Sequence, residues 1–258
     1  MDDLRSTAAI NEVARDLMKL RSEGRQMRTA RFPMRPTDLR MAMETQRLVS
    51  EMEGVEGRAW KVAGTPAGHF VVAPLHPFMH SVSKPSLLWR PGMKLEVEIA
   101  VKLGRDLPVL SEGTYNRSGI SEAVSEVYLG VELVWSAIED GAGVSFPLFL
   151  ADRLGNMGYV LGPLLPASLL DSCAGTPLHV SVDGRVLYEA GARHPTGDVL
   201  TWLLGYANGR FGPPASLTAG SVITTGSLCG AFEIAEPGKI EVKLGSEASF
   251  DFVLSADL

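Results

Sequence analysis

Glu96 and Glu98 stand two residues apart in a strictly alternating stretch, with Leu95, Val97, Ile99, Val101 and Leu103 at the intervening positions. A strand turns every second side chain to the same face, so these two carboxylates are neighbours. Taken alone, such a pair is the wetted face of a half-exposed antiparallel strand. Two carboxylates held this close nevertheless repel each other unless a cation sits between them. Glu132 strengthens the second reading. It lies in Val131-Glu132-Leu133-Val134-Trp135, an apolar run where a lone carboxylate is costly to bury. Three carboxylates with no Cys or His nearby in sequence fit a hard ion, Mg²⁺ or Mn²⁺, better than zinc.

The elements that must place these side chains can be read from the hydrophobic pattern. Ile10, Val13, Ala14, Leu17, Met18 and Leu20 recur at helical spacing over 7–27. A second helix is predicted from Thr37, as N-cap, through Leu39, Met43, Leu48 and Met52 to a stop at Gly54. A basic linker with Arg28, Arg31 and Arg35 joins the two. From Trp60 the text changes to short strands. Hairpins are predicted around Asp183-Gly184, within 178–188, and around Gly245-Ser246, within 240–253. Helical insertions are predicted over 118–128 and 195–208. Strands and helices do not alternate regularly, which argues against a doubly wound parallel sheet. The expected class is α+β, with a small helical region over 1–56 and a strand-rich domain over 57–258.

Composition narrows the classes further. With 24 basic and 30 acidic residues the net charge is −6, which argues against a sequence-independent nucleic-acid binder that needs a positive face. The 27 Gly and 16 Pro agree with many turns and short strands. Only two cysteines, Cys173 and Cys229, leave no disulfide scaffold and make a reducing compartment the default. No apolar stretch approaches the roughly 20 residues that span a bilayer. The opening residues MDDLRSTAAI carry no apolar core of a secretory signal. A soluble, cytoplasmic protein with no membrane or nucleic-acid partner is expected.

Several tracts together resemble a known superfamily. They are Trp60-Lys61-Val62-Ala63-Gly64, Lys94-Leu95-Glu96-Val97-Glu98-Ile99-Ala100, Ala151-Asp152 through Val160-Leu161-Gly162-Pro163, and Thr225-Gly226-Ser227-Leu228. In order and spacing over 57–252 they resemble the fumarylacetoacetate hydrolase superfamily. Within it the chain is most similar to the branch of 2-keto-4-pentenoate (2-hydroxypenta-2,4-dienoate) hydratases and 4-oxalocrotonate decarboxylases. Arg193-His194-Pro195 is similar to a Gly-His-Pro tract of that branch. The resemblance implies a mixed β-roll, barrel-like fumarylacetoacetase-type fold. It assigns Glu96, Glu98 and Glu132 as metal ligands and Lys61 as an active-site lysine. It places Thr225, Gly226 and Ser227 in a strand-end loop bordering the substrate. Asp152 and Asn156 fall where polar groups approach the substrate or support its neighbours. Bland readings stand beside these: a surface lysine, a turn, and side-chain caps of a loop. Glutamate in the third ligand slot, and the lack of a K-G-x-D tract, favour hydratases and decarboxylases over hydrolases.

This sequence also departs from the branch. Trp135-Ser136-Ala137 stands where an acidic-Ser-Arg group is usual, and Ala151-Asp152-Arg153 replaces A-D-N. The segment after Lys61 is short and holds no carboxylate over 65–93. His76 or His80 would then carry protons, since imidazole titrates near neutrality. The resemblance implies a hydro-lyase that adds water to a 2-hydroxy-dienoate or 2-oxo-alkenoate in aromatic-compound catabolism, through a metal-stabilised enolate. Lys61, its pKa lowered by burial, would move protons or hold the substrate carboxylate. One alternative is decarboxylation of a vinylogous 2-oxo diacid, whose second carboxylate would need a cation such as Arg153. Another is hydrolysis of an acylpyruvate, with His76 or His80 paired to Glu51 or Glu53. A third is a non-catalytic relative with an altered lid. A homo-oligomer whose partner is a small 2-oxo acid completes the expectation.

Overall fold

A computed structural model of the chain describes all residues except 1, 56, 141, 142, 247 and 258, with side chains described from residue 7 onward. Contacts divide it into two compact units, one of Met1–Glu56 with Trp135–Met157, the other of Gly57–Val134 with Gly158–Leu258. The sequence expectation of 1–56 as a separate region therefore gains a segment from the middle of the chain. In the smaller unit, the helix Asp2–Glu23 buries Val13, Ala14, Leu17 and Leu20, and the helix Leu39–Met52 buries Ala42 and Val49. The middle segment is bound to them by polar contacts. The Gln46 amide donates to the Leu150 carbonyl at 2.8 Å, and Met27 bridges to Ile138. Asp38, not Thr37, caps the second helix, accepting from the Met41 amide at 2.8 Å, and Gly54 ends it with φ of 69°.

The larger unit carries the strands β1 (Ala59–Gly64), β2 (Phe70–Pro74), β3 (Phe78–His80), β4 (Ser86–Leu88), β5 (Lys94–Leu103) and β6 (Val124–Val134). After them come β7 (Asn156–Leu165), whose first two residues belong to the smaller unit, β8 (Pro177–Val182), β9 (Arg185–Gly191) and β10 (Arg210–Phe211). The last four are β11 (Val222–Ser227), β12 (Phe232–Glu233), β13 (Gly238–Leu244) and β14 (Ala248–Ser255). They form two mixed sheets. One runs β10-β2-β1-β11-β5-β6-β7-β3 with β12 also on β5, and the other runs β4-β14-β13-β8-β9. Both expected hairpins form, β8–β9 around Asp183-Gly184 and β13–β14 around Gly245.

Strand β5 lies deep in the larger sheet. Its odd positions from Leu95 to Leu103 are buried, but so are Glu98 and Ala100 on the other face. The face expected to be wet is therefore dry around Glu98. Two helix expectations hold only in part. Only Arg117–Ser121 is helical, capped by the Asn116 side chain, and Val124–Val134 pairs with β5 as a strand. Ile120, Val124 and Val127 sit at i, i+4 and i+7, a spacing that mimics a helix, but pairing along the whole of β5 outweighs it. The other helix starts at Thr201, because the residues before it turn around Asp198, whose carboxylate accepts from the Leu200 amide at 3.0 Å. Among the described residues no helix is long and apolar enough to cross a membrane.

Candidate metal centre

The register between β5 and β6 builds the site. Glu96 lies opposite Glu132, and Glu98 opposite Gly130. Like charges directly opposed across a ladder destabilise it, so this pairing calls for compensation. Carboxylate oxygens of Glu96, Glu98 and Glu132 lie within 4.8 Å of one another. Glu98 and Glu132 are buried, while Glu96 is half-buried. Glu98 accepts the Gly226 amide on Oε1 at 3.1 Å, whereas its buried Oε2 accepts no hydrogen bond among the described residues. Burial, then the charges of Glu132 and Glu96, push its carboxyl well above the usual range, against the pull of Lys61.

Lys61 stands in β1, which runs parallel to β11 with Lys61 beside Thr224. Its Nζ donates to Glu132 Oε1 at 2.7 Å. The expected lowered pKa is not what this setting produces. Burial pulls the ammonium down, but Glu132, Glu96 and Glu98 outweigh it, and the net shift is upward. Lys61 stays charged. With all three carboxyls ionised, three negative charges face one ammonium among the described residues, an excess in a largely dry site that is felt as the raised Glu98 pKa. A divalent cation neutralises that excess, and the bare Glu98 Oε2 offers it a ligand atom, so the residues present fit Mg²⁺ or Mn²⁺.

The sequence reasoning missed Tyr159. Its ring is buried on β7, its hydroxyl has no hydrogen-bond partner among the described residues, and it stacks on Phe78 at 5.8 Å between centroids. A Cβ at position 130 would come within 2.0 Å of its Oη, so only glycine opposite Glu98 lets the phenol in. Burial, followed by the charges of Glu98 and Glu132, pushes the phenol well up, and it keeps its proton. The available signal was Gly130 itself, a glycine in the middle of an apolar strand.

Thr225, Gly226 and Ser227 end β11 as strand residues, not as a loop, and the register with β5 shifts between Thr224 and Ser227. Thr225 donates its hydroxyl to the Ile99 carbonyl at 2.8 Å, and Ser227 to the Gly230 carbonyl at 2.9 Å. His76 lies half-buried between β2 and β3, joined to Pro77 by a cis bond, and His80 is exposed at the end of β3. Their expected acidic partners are engaged elsewhere. Glu51 pairs with Arg47, and Glu53 takes Arg21 at 3.2 Å and Arg153 at 2.5 Å.

Asp152 and Asn156 belong to the smaller unit, and both are buried. Asp152 Oδ1 accepts from Arg21 Nη1 at 2.8 Å, and Oδ2 accepts from the Ser136 hydroxyl at 2.7 Å and the Ala137 amide at 2.8 Å. The Asn156 carbonyl accepts from Arg21 Nη2 at 2.5 Å. Asp152 thus ties the middle segment to the first helix. Arg153 is buried beside Glu53, and burial together with Arg21 lowers its pKa to about 10.

No protein-family model matches the chain, and no curated protein matches its sequence. Solved structures do match. The 4-oxalocrotonate decarboxylase from Pseudomonas putida G7, complexed with magnesium and adipate, is 15% identical with a TM-score of 0.70 over 96% of this chain and 98% of that one. The same enzyme complexed with calcium and acetate gives 16% identity and a TM-score of 0.68 over the same shares. A yeast fumarylacetoacetate hydrolase family protein is 14% identical with a TM-score of 0.51, over 75% of this chain and 90% of that one. The chain therefore has the fumarylacetoacetate hydrolase-type fold. Its likeness to the decarboxylase runs through almost the whole chain.

Proposed function

We propose that this protein is a divalent-metal-dependent enzyme of 2-oxo acids, a hydro-lyase adding water to a 2-hydroxy-dienoate or 2-oxo-alkenoate from aromatic-compound catabolism. The observation that carries the reading is the convergence of Glu96, Glu98 and Glu132 within 4.8 Å, with Lys61 the cation hydrogen-bonded to the cluster. When bound, Mg²⁺ or Mn²⁺ supplies stabilisation of the negative charge that develops on a 2-oxo oxygen. The three glutamates would hold it. Lys61, kept charged by those carboxylates, orients the substrate carboxylate and acts as a proton donor, not as a resting base. Tyr159 offers a protonated phenol in a dry wall. Thr225, Gly226 and Ser227 border the substrate, and Gly226 holds Glu98 in place. His76 carries the proton at the far carbon. Asp152 and Asn156 act as supports, since Asp152 is committed to Arg21, Ser136 and Ala137. The working form is a cytoplasmic homo-oligomer, which sedimentation would test.

Decarboxylation of a vinylogous 2-oxo diacid is the second reading, and the end-to-end likeness to a 4-oxalocrotonate decarboxylase supports it. An ultraviolet assay with Mg²⁺ or Mn²⁺ on 2-hydroxy-dienoates, 2-oxo diacids and acylpyruvates separates the two. Loss of dienol absorbance without carbon dioxide supports hydration, and release of carbon dioxide supports decarboxylation. Cleavage of acylpyruvates alone, or metal binding with no turnover, overturns both.

A further inference from the structure

His194 lies three residues after the end of β9 and is 3% exposed. Both ring nitrogens are in use. Nε2 is 2.7 Å from the Thr225 carbonyl oxygen, and Nδ1 is 2.8 Å from Thr196 Oγ1 and 3.3 Å from the Thr196 amide nitrogen. A carbonyl can only accept, so Nε2 carries a proton. In the neutral ring Nδ1 then accepts, facing the Thr196 amide and the Thr196 hydroxyl, whose single proton serves either Nδ1 or the Asp198 carbonyl 2.8 Å away. This pattern holds the neutral ring in one tautomer. Trp202 packs edge-on against it, with 5.6 Å between centroids.

The carbonyl that His194 grips and the Gly226 N–H belong to one peptide group. That N–H donates to Glu98 Oε1 at 3.1 Å. A hydrogen bond at the carbonyl polarises the amide and strengthens its N–H as a donor. The backbone is arranged for this contact. Gly226 has φ of 109°, and a Cβ there would stand 2.9 Å from His194 Nε2 and 2.7 Å from Trp202 Cζ3.

We propose that His194 is a positioning residue for the cation site: by fixing the Thr225–Gly226 peptide it holds Glu98 through Oε1 and leaves Oε2 for the cation. The inference rests on the reading of Glu96, Glu98 and Glu132 as a cation site. Nothing in it requires His194 to touch the metal or the substrate. Groups that bond a ligand directly change metal affinity by about 10–100-fold when removed, and His194 acts one hydrogen bond further out, through the peptide, at the lower end of that range.

The test measures Mn²⁺ binding by calorimetry in the full chain, together with the amide resonance of Gly226 in metal-free protein carrying ¹⁵N-glycine. His194→Phe keeps a ring against Trp202 but loses the donor, His194→Ala removes both, and His194→Gln keeps a donor. The Phe and Ala variants should bind Mn²⁺ about tenfold or more weakly and shift the Gly226 resonance. His194→Gln should recover most of the affinity. A packing role alone would lower the melting temperature of all three and leave affinity and resonance unchanged, which overturns the proposal. Equal affinity losses in the Gln and Phe variants, at equal melting temperature, overturn it as well. Should the wild-type protein bind no Mn²⁺, the cation reading itself fails, whereas wild-type binding that His194→Phe leaves intact removes the positioning role alone.

Discussion

Replacing Glu98 by Gln should reverse its effect on stability according to whether metal is present. In metal-free protein Glu98 Oε2 is buried without a hydrogen-bond donor among the described residues, and Glu132 and Glu96 repel any charge on it. A buried, unsatisfied polar atom costs about 1–3 kcal/mol, and more when charged. Gln carries no charge, and its side-chain oxygen can still accept from the Gly226 amide. Glu98→Gln should therefore melt higher than wild type in a chelating buffer at pH 8, by about 2–12 °C at the roughly 2–4 °C per kcal/mol usual for a chain of this size. With Mn²⁺ at about 100 times its dissociation constant, the wild type gains about 2.7 kcal/mol and rises by about 5–10 °C. The variant, lacking one anionic ligand, should rise far less, and the order of melting temperatures inverts. Scanning fluorimetry of both proteins, with chelator and with Mn²⁺, reads all four values. A variant that melts below wild type in chelator and rises equally with Mn²⁺ would refute the reasoning.

Other predictions address the parts of the account separately. Arg21→Met strips the fully buried Asp152 of its cation and should cost about 3–5 kcal/mol in urea denaturation, while Arg15→Met, on the exposed side of the same helix, should cost little. Tyr159→Phe removes a buried hydroxyl with no hydrogen-bond partner among the described residues, so stability should hold or rise slightly while kcat/KM on the accepted 2-oxo acid falls about tenfold or more. Gly226→Ala should destabilise by about 1–3 kcal/mol and weaken Mn²⁺ binding, because the added Cβ meets Trp202 and His194 at a backbone angle that L-residues rarely adopt. Burial lowers the His194 pKa below its ordinary 6.5, so the folded state binds that proton less readily than the unfolded chain. Stability of wild type relative to His194→Gln should then fall as pH drops through 6.5, and a difference that is flat from pH 7.5 to 5.5 would contradict this.

The three glutamates were legible because strand periodicity is local: Glu96 and Glu98 had to share a face, and Glu132 sat where burial of an acid needs a partner. The hairpins were legible for the same reason, since Asp183-Gly184 fixes a turn within a few residues. What escaped depends on contacts distant in sequence. Tyr159 reaches the carboxylates across Gly130, and no pattern within β7 announces which strand will lie beside it. The middle segment joins the N-terminal helices through pairs such as Arg21 and Asp152, 131 residues apart. The resemblance put Lys61 near the glutamates with a lowered pKa, and the structure sets it on Glu132, but the sign of its shift required counting the carboxylates around it. Residues 118–128 were ambiguous on their own, because their valines satisfy a helical spacing and a strand equally well until β5 selects one.

The central claim is that Glu96, Glu98 and Glu132 form one divalent-cation site. A crystal grown with Mn²⁺ and measured at a wavelength where manganese scatters anomalously tests it most directly. The account predicts one strong anomalous peak within about 2.0–2.3 Å of an oxygen from each of the three glutamates, absent from an EDTA-treated crystal. Manganese bound elsewhere at saturating concentration, with the three carboxylates left without an ion, would contradict it.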